Sequence, residues 1–166
     1  MKHIDPSHPT PGPASQLTRG SVLVVDTAPL SLITLAGVLH TQGYRCVCAA
    51  NLSAAREAME TSSIDLVVWD VGDDAAGTLG QLKAIRHDRS TRTTDPLAAI
   101  LIAGGQWAGL EKRTETLDSP TRCLFKPIDP HVLIAVVEQT LMLSPLVDAH
   151  QRKRSRPSRP GWVTLD

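Results

Sequence analysis

VLVVD at residues 22–26, LVVWD at 66–70 and CLFKP at 123–127 decide the fold of this 166-residue chain. Each is a short apolar run without the polar–apolar alternation of a half-exposed strand. This pattern is typical of parallel strands that are buried on both faces. Each run also ends in, or is followed by, a charged residue. The sequence therefore predicts an α/β sheet with charged side chains gathered at one edge.

Those charged residues are Asp26, Asp70 and Lys126. In open α/β sheets, ligands bind just beyond the carboxyl ends of the strands. Two carboxylates and one ammonium at that edge suit a hard divalent cation and a phosphoryl group. A single aspartate at a strand end is more often only a helix or turn cap. The three together favour a phosphoryl-accepting site over three unrelated caps.

Helical patterns separate the strand candidates and predict a single doubly wound, five-stranded parallel sheet of order 2-1-3-4-5, with helices on both faces. The last helix has Asp129 as its predicted N-cap and Pro130 in its first turn. The predicted strands are 22–26, 44–49, 66–70, 97–102 and 122–125. The predicted helices are 29–42, 51–61, 79–87 (after a loop through Gly77), 110–117 and 130–143.

The stretches VLVVDTAPLSLITLAGVLHTQGY, DLVVWDV and FKPIDP resemble the receiver domain of two-component response regulators, over about residues 21–143. The resemblance implies that Asp70 accepts a phosphoryl group from the phosphohistidine of a histidine kinase. It implies that Mg²⁺ is held by Asp26, Asp70 and the backbone carbonyl of Gly72. It also implies that Lys126 pairs with the phosphorylated aspartate and that a cis-proline follows at Pro127.

The chain departs from the receiver pattern at several positions. Thr27 replaces the second acid, and its neutral hydroxyl is a poorer Mg²⁺ ligand than a carboxylate. The hydroxyl residue at the end of strand four aligns with Ala103, and the aromatic three residues before the lysine aligns with Cys123. Asp74 stands where a proline is usual, and it or Asp73 is a candidate for the missing charge. We expect weak Mg²⁺ binding and little movement of the fourth-strand to fifth-strand face on phosphorylation.

Composition predicts one domain with two tails. Residues 1–20 are rich in proline and are predicted to be disordered, 21–144 form the receiver-like domain, and 145–166 form a basic, disordered tail. No apolar run reaches the roughly 20 residues of a membrane span, and no signal peptide pattern begins the chain. We therefore expect a cytoplasmic protein without membrane contact. The basic tail offers the one candidate contact with nucleic acid, although a solubilising role is favoured.

Three function classes stay open. The first is a stand-alone receiver that accepts phosphate on Asp70 from a histidine kinase or histidine phosphotransfer protein and acts on a downstream protein. The second is a pseudo-receiver, an interaction module regulated without phosphate. The third is a small hydrolase or ligand-binding protein on a flavodoxin-like fold. The third ranks last because the sequence shows no nucleophile–base pair and no phosphate-binding glycine loop, and we expect no enzyme beyond self-phosphorylation and autodephosphorylation at Asp70.

Overall fold

The computed structural model describes residues 18–117 and 119–154, and from residue 144 onward only the backbone. Five parallel strands form one sheet of order β2-β1-β3-β4-β5, which confirms the predicted fold. The strands are β1 (Ser21–Val25), β2 (Arg45–Ala49), β3 (Leu66–Asp70), β4 (Ala98–Ala103) and β5 (Thr121–Phe125). The helices are α1 (Pro29–Thr41), α2 (Leu52–Thr61), α3 (Ala75–Ser90), α4 (Leu110–Thr114) and α5 (Pro130–Arg154).

Alternate residues of the buried strands feed two separate cores. On β1, Val22 and Val24 face a core shared with α1 and α5. Leu23 and Val25 face a core shared with α2, α3 and α4. Because both faces of the central strands are covered, their sequences are uninterruptedly apolar.

Most helix boundaries follow local signals in the sequence. Pro29 lies in the first turn of α1, and Gly43 just beyond its end has a φ of 87°, a conformation that favours glycine. Asn51 caps α2 by accepting a hydrogen bond from the backbone N–H of Ala54. Asp129 accepts a hydrogen bond from the backbone N–H of His131 at 2.8 Å at the start of α5.

Three helix predictions differ from the structure in their bounds. Helix α3 begins at Ala75 instead of Leu79, because Asp74 caps it, and it ends at Ser90 instead of His87. Helix α4 ends at Thr114 instead of Leu117, and it is preceded by a 3₁₀ turn at Gly105–Trp107 that was not predicted.

Helix α5 continues past its predicted end at Leu143 as far as Arg154. It therefore includes the first ten residues of the segment assigned to the basic tail. Good helix formers such as Leu146, Ala149 and Arg152 follow Pro145 in the sequence, and they favour continuation despite the proline. Residues 1–17 and 155–166, which make up most of the two predicted tails, lie outside the described residues.

Candidate functional site

Asp26 and Asp70 lie side by side at the carboxyl edge of the sheet. Val25 of β1 is in register with Trp69 of β3, and each aspartate is the next residue along its strand. Asp26 is only 4 % exposed. Its Oδ1 accepts a hydrogen bond from the backbone N–H of Ala28 at 2.8 Å. Its Oδ2 is buried and has no hydrogen-bond partner among the described residues.

Lys126 reaches Asp70 from the end of β5, which lies two strands away in the sheet. The backbone N–H of Lys126 donates to the carbonyl of Ala103 at 2.8 Å, which fixes the exit of β5 against the end of β4. The Nζ atom of Lys126 then lies 2.6 Å from Oδ2 of Asp70. Because this contact is short but does not have hydrogen-bond geometry, it is chiefly an electrostatic pair. The next peptide bond, Lys126–Pro127, is cis.

The Asp70 carboxylate is nearly inaccessible to solvent. Its side chain is 6 % exposed, whereas that of Lys126 is 48 % exposed. The second oxygen, Oδ1, accepts a hydrogen bond from the backbone N–H of Gly72 at 2.9 Å. Both oxygens of Asp70 are thus engaged, and the lysine is the more exposed of the two partners.

A cleft of about 340 Å³ opens beside Asp70; we call it the acid cleft. Thr27, which replaces the second acid of receivers, lines this cleft, and its only polar side-chain group is a neutral hydroxyl. The other polar residues of its wall are Asn51, Asp73, Asp74, Thr78 and Gln81.

Asp74 and Asp73 do not complete a metal site. Oδ1 of Asp74 accepts a hydrogen bond from the backbone N–H of Gly77 at 2.8 Å, so this carboxylate caps α3. Asp73 is exposed. Within residues 18–117 and 119–143, no three His, Cys, Asp or Glu side chains are grouped as a metal site requires.

The Gly72 carbonyl, the third implied Mg²⁺ ligand, is engaged by a residue that the sequence analysis did not single out for the site. The indole N–H of Trp107 donates to this oxygen at 2.9 Å. Asp26 is not among the residues that line the acid cleft, and its unpartnered Oδ2 is buried. In this arrangement the residues do not fit a Mg²⁺ site. No periodicity or motif signals the Trp107 contact, since the two residues are 35 positions apart.

The two readout positions of receivers hold small side chains. Ala103 is fully buried at the end of β4. Cys123 is half-buried on β5, and its Sγ lies 3.9 Å from Oγ1 of Thr114. Burial raises the pKa of the Cys123 thiol, the contact with Thr114 lowers it, and the nearby Glu111 raises it. The net rise leaves an uncharged thiol at neutral pH, without the aromatic ring that receivers carry at this position.

Solved structures share this architecture. The receiver domain protein from Clostridium thermocellum superposes with a TM-score of 0.64 at 18 % identity, over 77 % of this chain and 98 % of that one. The CheY-like receiver domain protein from Methanospirillum hungatei gives 0.63 at 19 % identity, over 77 % and 98 %. The chain has the response-regulator receiver fold. NtrX from Brucella abortus in complex with ADP gives a TM-score of 0.68 at 21 % identity, over 84 % of this chain but 31 % of that one.

Sequence comparison adds one curated relative. A sensor histidine kinase, GacS of Pseudomonas protegens, is 29 % identical over 136 residues, or 82 % of this chain. This receiver-like chain spans 15 % of that kinase. No family model matches the chain. Among the described residues, no helix has the length and apolar character that crossing a membrane requires.

Proposed function

We propose that this protein is a receiver-type signalling domain of a two-component phosphorelay, acting in the cytoplasm. It accepts a phosphoryl group on Asp70 from a histidine kinase or a histidine phosphotransfer protein and signals through contact with a downstream protein. The observation that carries the proposal is the 2.6 Å contact between Lys126 Nζ and Asp70 Oδ2 at the carboxyl edge of the sheet. The similarity to a sensor histidine kinase supports the same class of partner.

The transfer is a substitution at phosphorus. A carboxylate oxygen of Asp70 attacks the phosphorus of the phosphohistidine, and a new P–O bond forms as the P–N bond breaks. The bonding electrons go to the imidazole nitrogen of the donor. Lys126 stays beside the new acyl phosphate, where its positive charge offsets the charge of the phosphoryl oxygens.

Because Asp70 is nearly buried and paired with Lys126, a phosphodonor reaches it only after a change in the site. Since the Asp70 side chain is 6 % exposed and its Oδ2 is in contact with Lys126, the lysine moves off the carboxylate before a donor approaches and returns to the phosphorylated form. Half of the lysine side chain is already in water, but its departure leaves the carboxylate unpaired, so the movement has a cost. The backbone N–H of Gly72 stays on Oδ1 and orients the carboxylate.

A pseudo-receiver is the second candidate, and a specific observation favours it. Asp70 is paired with Lys126, and the Gly72 carbonyl is bonded to Trp107, so two groups that a receiver would use for phosphate and metal already have partners. A domain of this kind would act through its surface alone and would not take up phosphate.

Intact mass spectrometry after incubation with a small phosphodonor, with and without Mg²⁺, separates the two candidates. We expect the wild-type chain to gain one phosphoryl group, Asp70→Asn to gain none, and Asp73→Asn to behave as wild type. Asp73 is the matched control because it is an exposed carboxylate of the same cleft. A wild-type mass that stays unchanged at every donor concentration would support the pseudo-receiver instead.

A further inference from the structure

A groove of about 490 Å³ lies between α3 and α4 and shares no lining residue with the acid cleft; we call it the basic groove. Its apolar lining includes the buried Leu79 of α3 and the half-buried Leu117, which follows α4. Its charged lining consists of three exposed cations, Lys83 from α3 and Lys112 and Arg113 from α4. Apolar and positively charged groups are therefore combined in one concave surface.

No acidic side chain offsets the three cations of the basic groove. Among the described residues that line it, none is Asp or Glu, and none of the three cations forms an ion pair with a described residue. A pocket of about 270 Å³ beside α2 and α3 differs in this respect. It is lined by three arginines and three acids, and two of those arginines are ion-paired. The basic groove thus keeps a net positive charge that the other pocket neutralises.

The charges on and beside α4 are sorted by side. Lys112 and Arg113 line the basic groove, whereas Glu111 and Glu115 do not. Because Glu111 and Glu115 are four positions apart, they share one side of the helix, and Glu111 lies near Cys123 of β5. The acids therefore lie on the side of β5 and leave the cations of the groove without a neighbour of opposite charge.

Gly80 leaves space in the basic groove. It is an exposed lining residue in the interior of α3, where glycine stabilises a helix less than alanine does. A Cβ atom added at this position would meet no other atom within 4 Å, so the packing of the domain does not require a glycine. The missing side chain instead leaves room for a side chain of an occupant.

We propose that the basic groove binds an acidic, amphipathic segment of a partner protein. Carboxylates of that segment pair with Lys83, Lys112 and Arg113, and its apolar side chains contact Leu79 and Leu117. The complementary charges select the partner and speed its association, while burial of the apolar side chains adds affinity. Binding at this surface involves neither Asp70 nor a phosphoryl group.

A protein segment suits the groove better than nucleic acid does. No aromatic residue is among the described lining residues, so bases would have no ring to stack on. Residues 21–144 carry ten Lys or Arg and fourteen Asp or Glu, a net charge of −4, which disfavours a long polyanion. Residues 1–17 and 155–166 contain one acidic residue each, so neither segment of this chain has the charge to fill the groove.

The test is a fluorescence anisotropy titration of the full chain with a labelled amphipathic peptide of glutamate and leucine, about three helical turns long. We expect the wild-type chain to bind this peptide at least about fivefold more tightly than its glutamine counterpart, because each exposed ion pair contributes a modest amount. Binding should weaken as NaCl is added, since salt screens exposed charges. A labelled single-stranded DNA of similar length is titrated in parallel.

Two variants locate the binding surface. Gly80→Leu fills the groove without changing its charge and adds a better helix former, so the peptide affinity should fall about tenfold while the fold is kept. Gly37→Leu is its control, because a Cβ atom added at Gly37 on α1 also meets no atom within 4 Å. Lys112→Glu reverses one charge of the groove and should weaken binding about five- to tenfold. Arg45→Glu, at an exposed position on β2, makes the same change of charge elsewhere and should weaken binding by less than about twofold.

Three results would overturn the proposal. The first is a wild-type chain that does not bind the glutamate peptide. The second is equal binding by Gly80→Leu and Gly37→Leu, or by Lys112→Glu and Arg45→Glu, which would place the peptide elsewhere on the chain. The third is DNA that binds more tightly than the peptide and is released by Lys112→Glu, which would assign the groove to nucleic acid. The titrations contain no phosphodonor, so their outcome leaves phosphorylation of Asp70 to be judged by mass.

Discussion

The two halves of the carboxyl edge of the sheet differ in how many of the side chains typical of receivers they contain. At the ends of β1 and β3, two carboxylates lie side by side and a lysine contacts one of them. On β4 and β5, Ala103 at the end of β4 and Cys123 within β5 replace the hydroxyl and the aromatic ring that receivers use for readout. The acceptor half therefore retains its charges, while the readout half has lost its polar and aromatic side chains.

This difference indicates that two functions of one sheet edge depend on different residues. One function is to accept a phosphoryl group, and the other is to transmit its presence to the protein surface. Acceptance needs a carboxylate and a compensating cation within contact distance, which Asp70 and Lys126 supply. Reporting needs an element with two arrangements that interact differently with the cleft.

The largest effect is expected at the acceptor half, on removal of the lysine. Lys126→Met leaves the nearly buried Asp70 carboxylate without its partner, so the free energy of unfolding should fall by about 2 kcal/mol at pH 7. Lys83→Met, at an exposed lysine on α3, should stay within about 0.5 kcal/mol of wild type. Urea unfolding measures both. Equal losses in the two variants would mean that the Lys126–Asp70 pair contributes nothing specific.

Restoring the second acid should increase the Mg²⁺ affinity of the acceptor half. Thr27 lines the acid cleft, so Thr27→Asp adds a charged hard ligand there, and we expect Mg²⁺ affinity to rise about tenfold. Thr27→Asn, a neutral residue of nearly the same shape, is the control and should change the affinity little. Calorimetric titration checks this; an aspartate variant no better than the asparagine variant would contradict it.

A smaller effect separates the two acids that follow Asp70. Asp74 caps α3, so Asp74→Ala should cost about 1 kcal/mol of stability and leave Mg²⁺ affinity unchanged. Asp73→Ala, at an exposed position without a cap role, should change stability by less than about 0.5 kcal/mol. A loss of Mg²⁺ affinity in Asp74→Ala would instead assign this carboxylate to the cation.

The smallest effect belongs to the readout half and depends on pH. Because burial raises the pKa of Cys123 above its ordinary value of 9.0, the native thiol holds its proton more tightly than the unfolded one. This contribution to stability is complete below pH 9 and is lost as the pH rises further. Cys123→Ala should therefore flatten the alkaline decline of the unfolding free energy. Part of the decline should remain, since burial and the neighbouring Cys48 raise the pKa of Cys46 to about 11.

The strands and the sheet order could be predicted because buried parallel strands leave uninterrupted apolar runs. The runs ending at Asp26 and Asp70 fixed the two central strands, and the charged residues after them located the candidate site. Helix caps were harder to predict. The sequence pattern indicates Asp74 only as a source of negative charge, whereas in the structure its side chain caps α3, which begins at Ala75.

The contact between Trp107 and Gly72 lay beyond sequence reasoning. It joins two loops that are 35 residues apart, and it depends on the path of a short 3₁₀ turn that carries no periodic pattern. The same is true of the 6 % exposure of the Asp70 side chain. Residue types and spacing predicted that Asp26, Asp70 and Lys126 gather at one edge of the sheet, but not which of their atoms have partners.

NMR spectroscopy tests directly whether the acceptor half responds to phosphate without the readout half. Amide and indole spectra are compared with and without beryllofluoride and Mg²⁺, which together mimic the phosphorylated aspartate. We expect the signals of Asp70, Gly72 and Lys126 to shift, those of Thr114 and Cys123 to stay still, and Asp70→Asn to show none of these changes. Shifts of similar size at Thr114 and Cys123 would contradict this expectation, because the readout half would then respond without the side chains that receivers use.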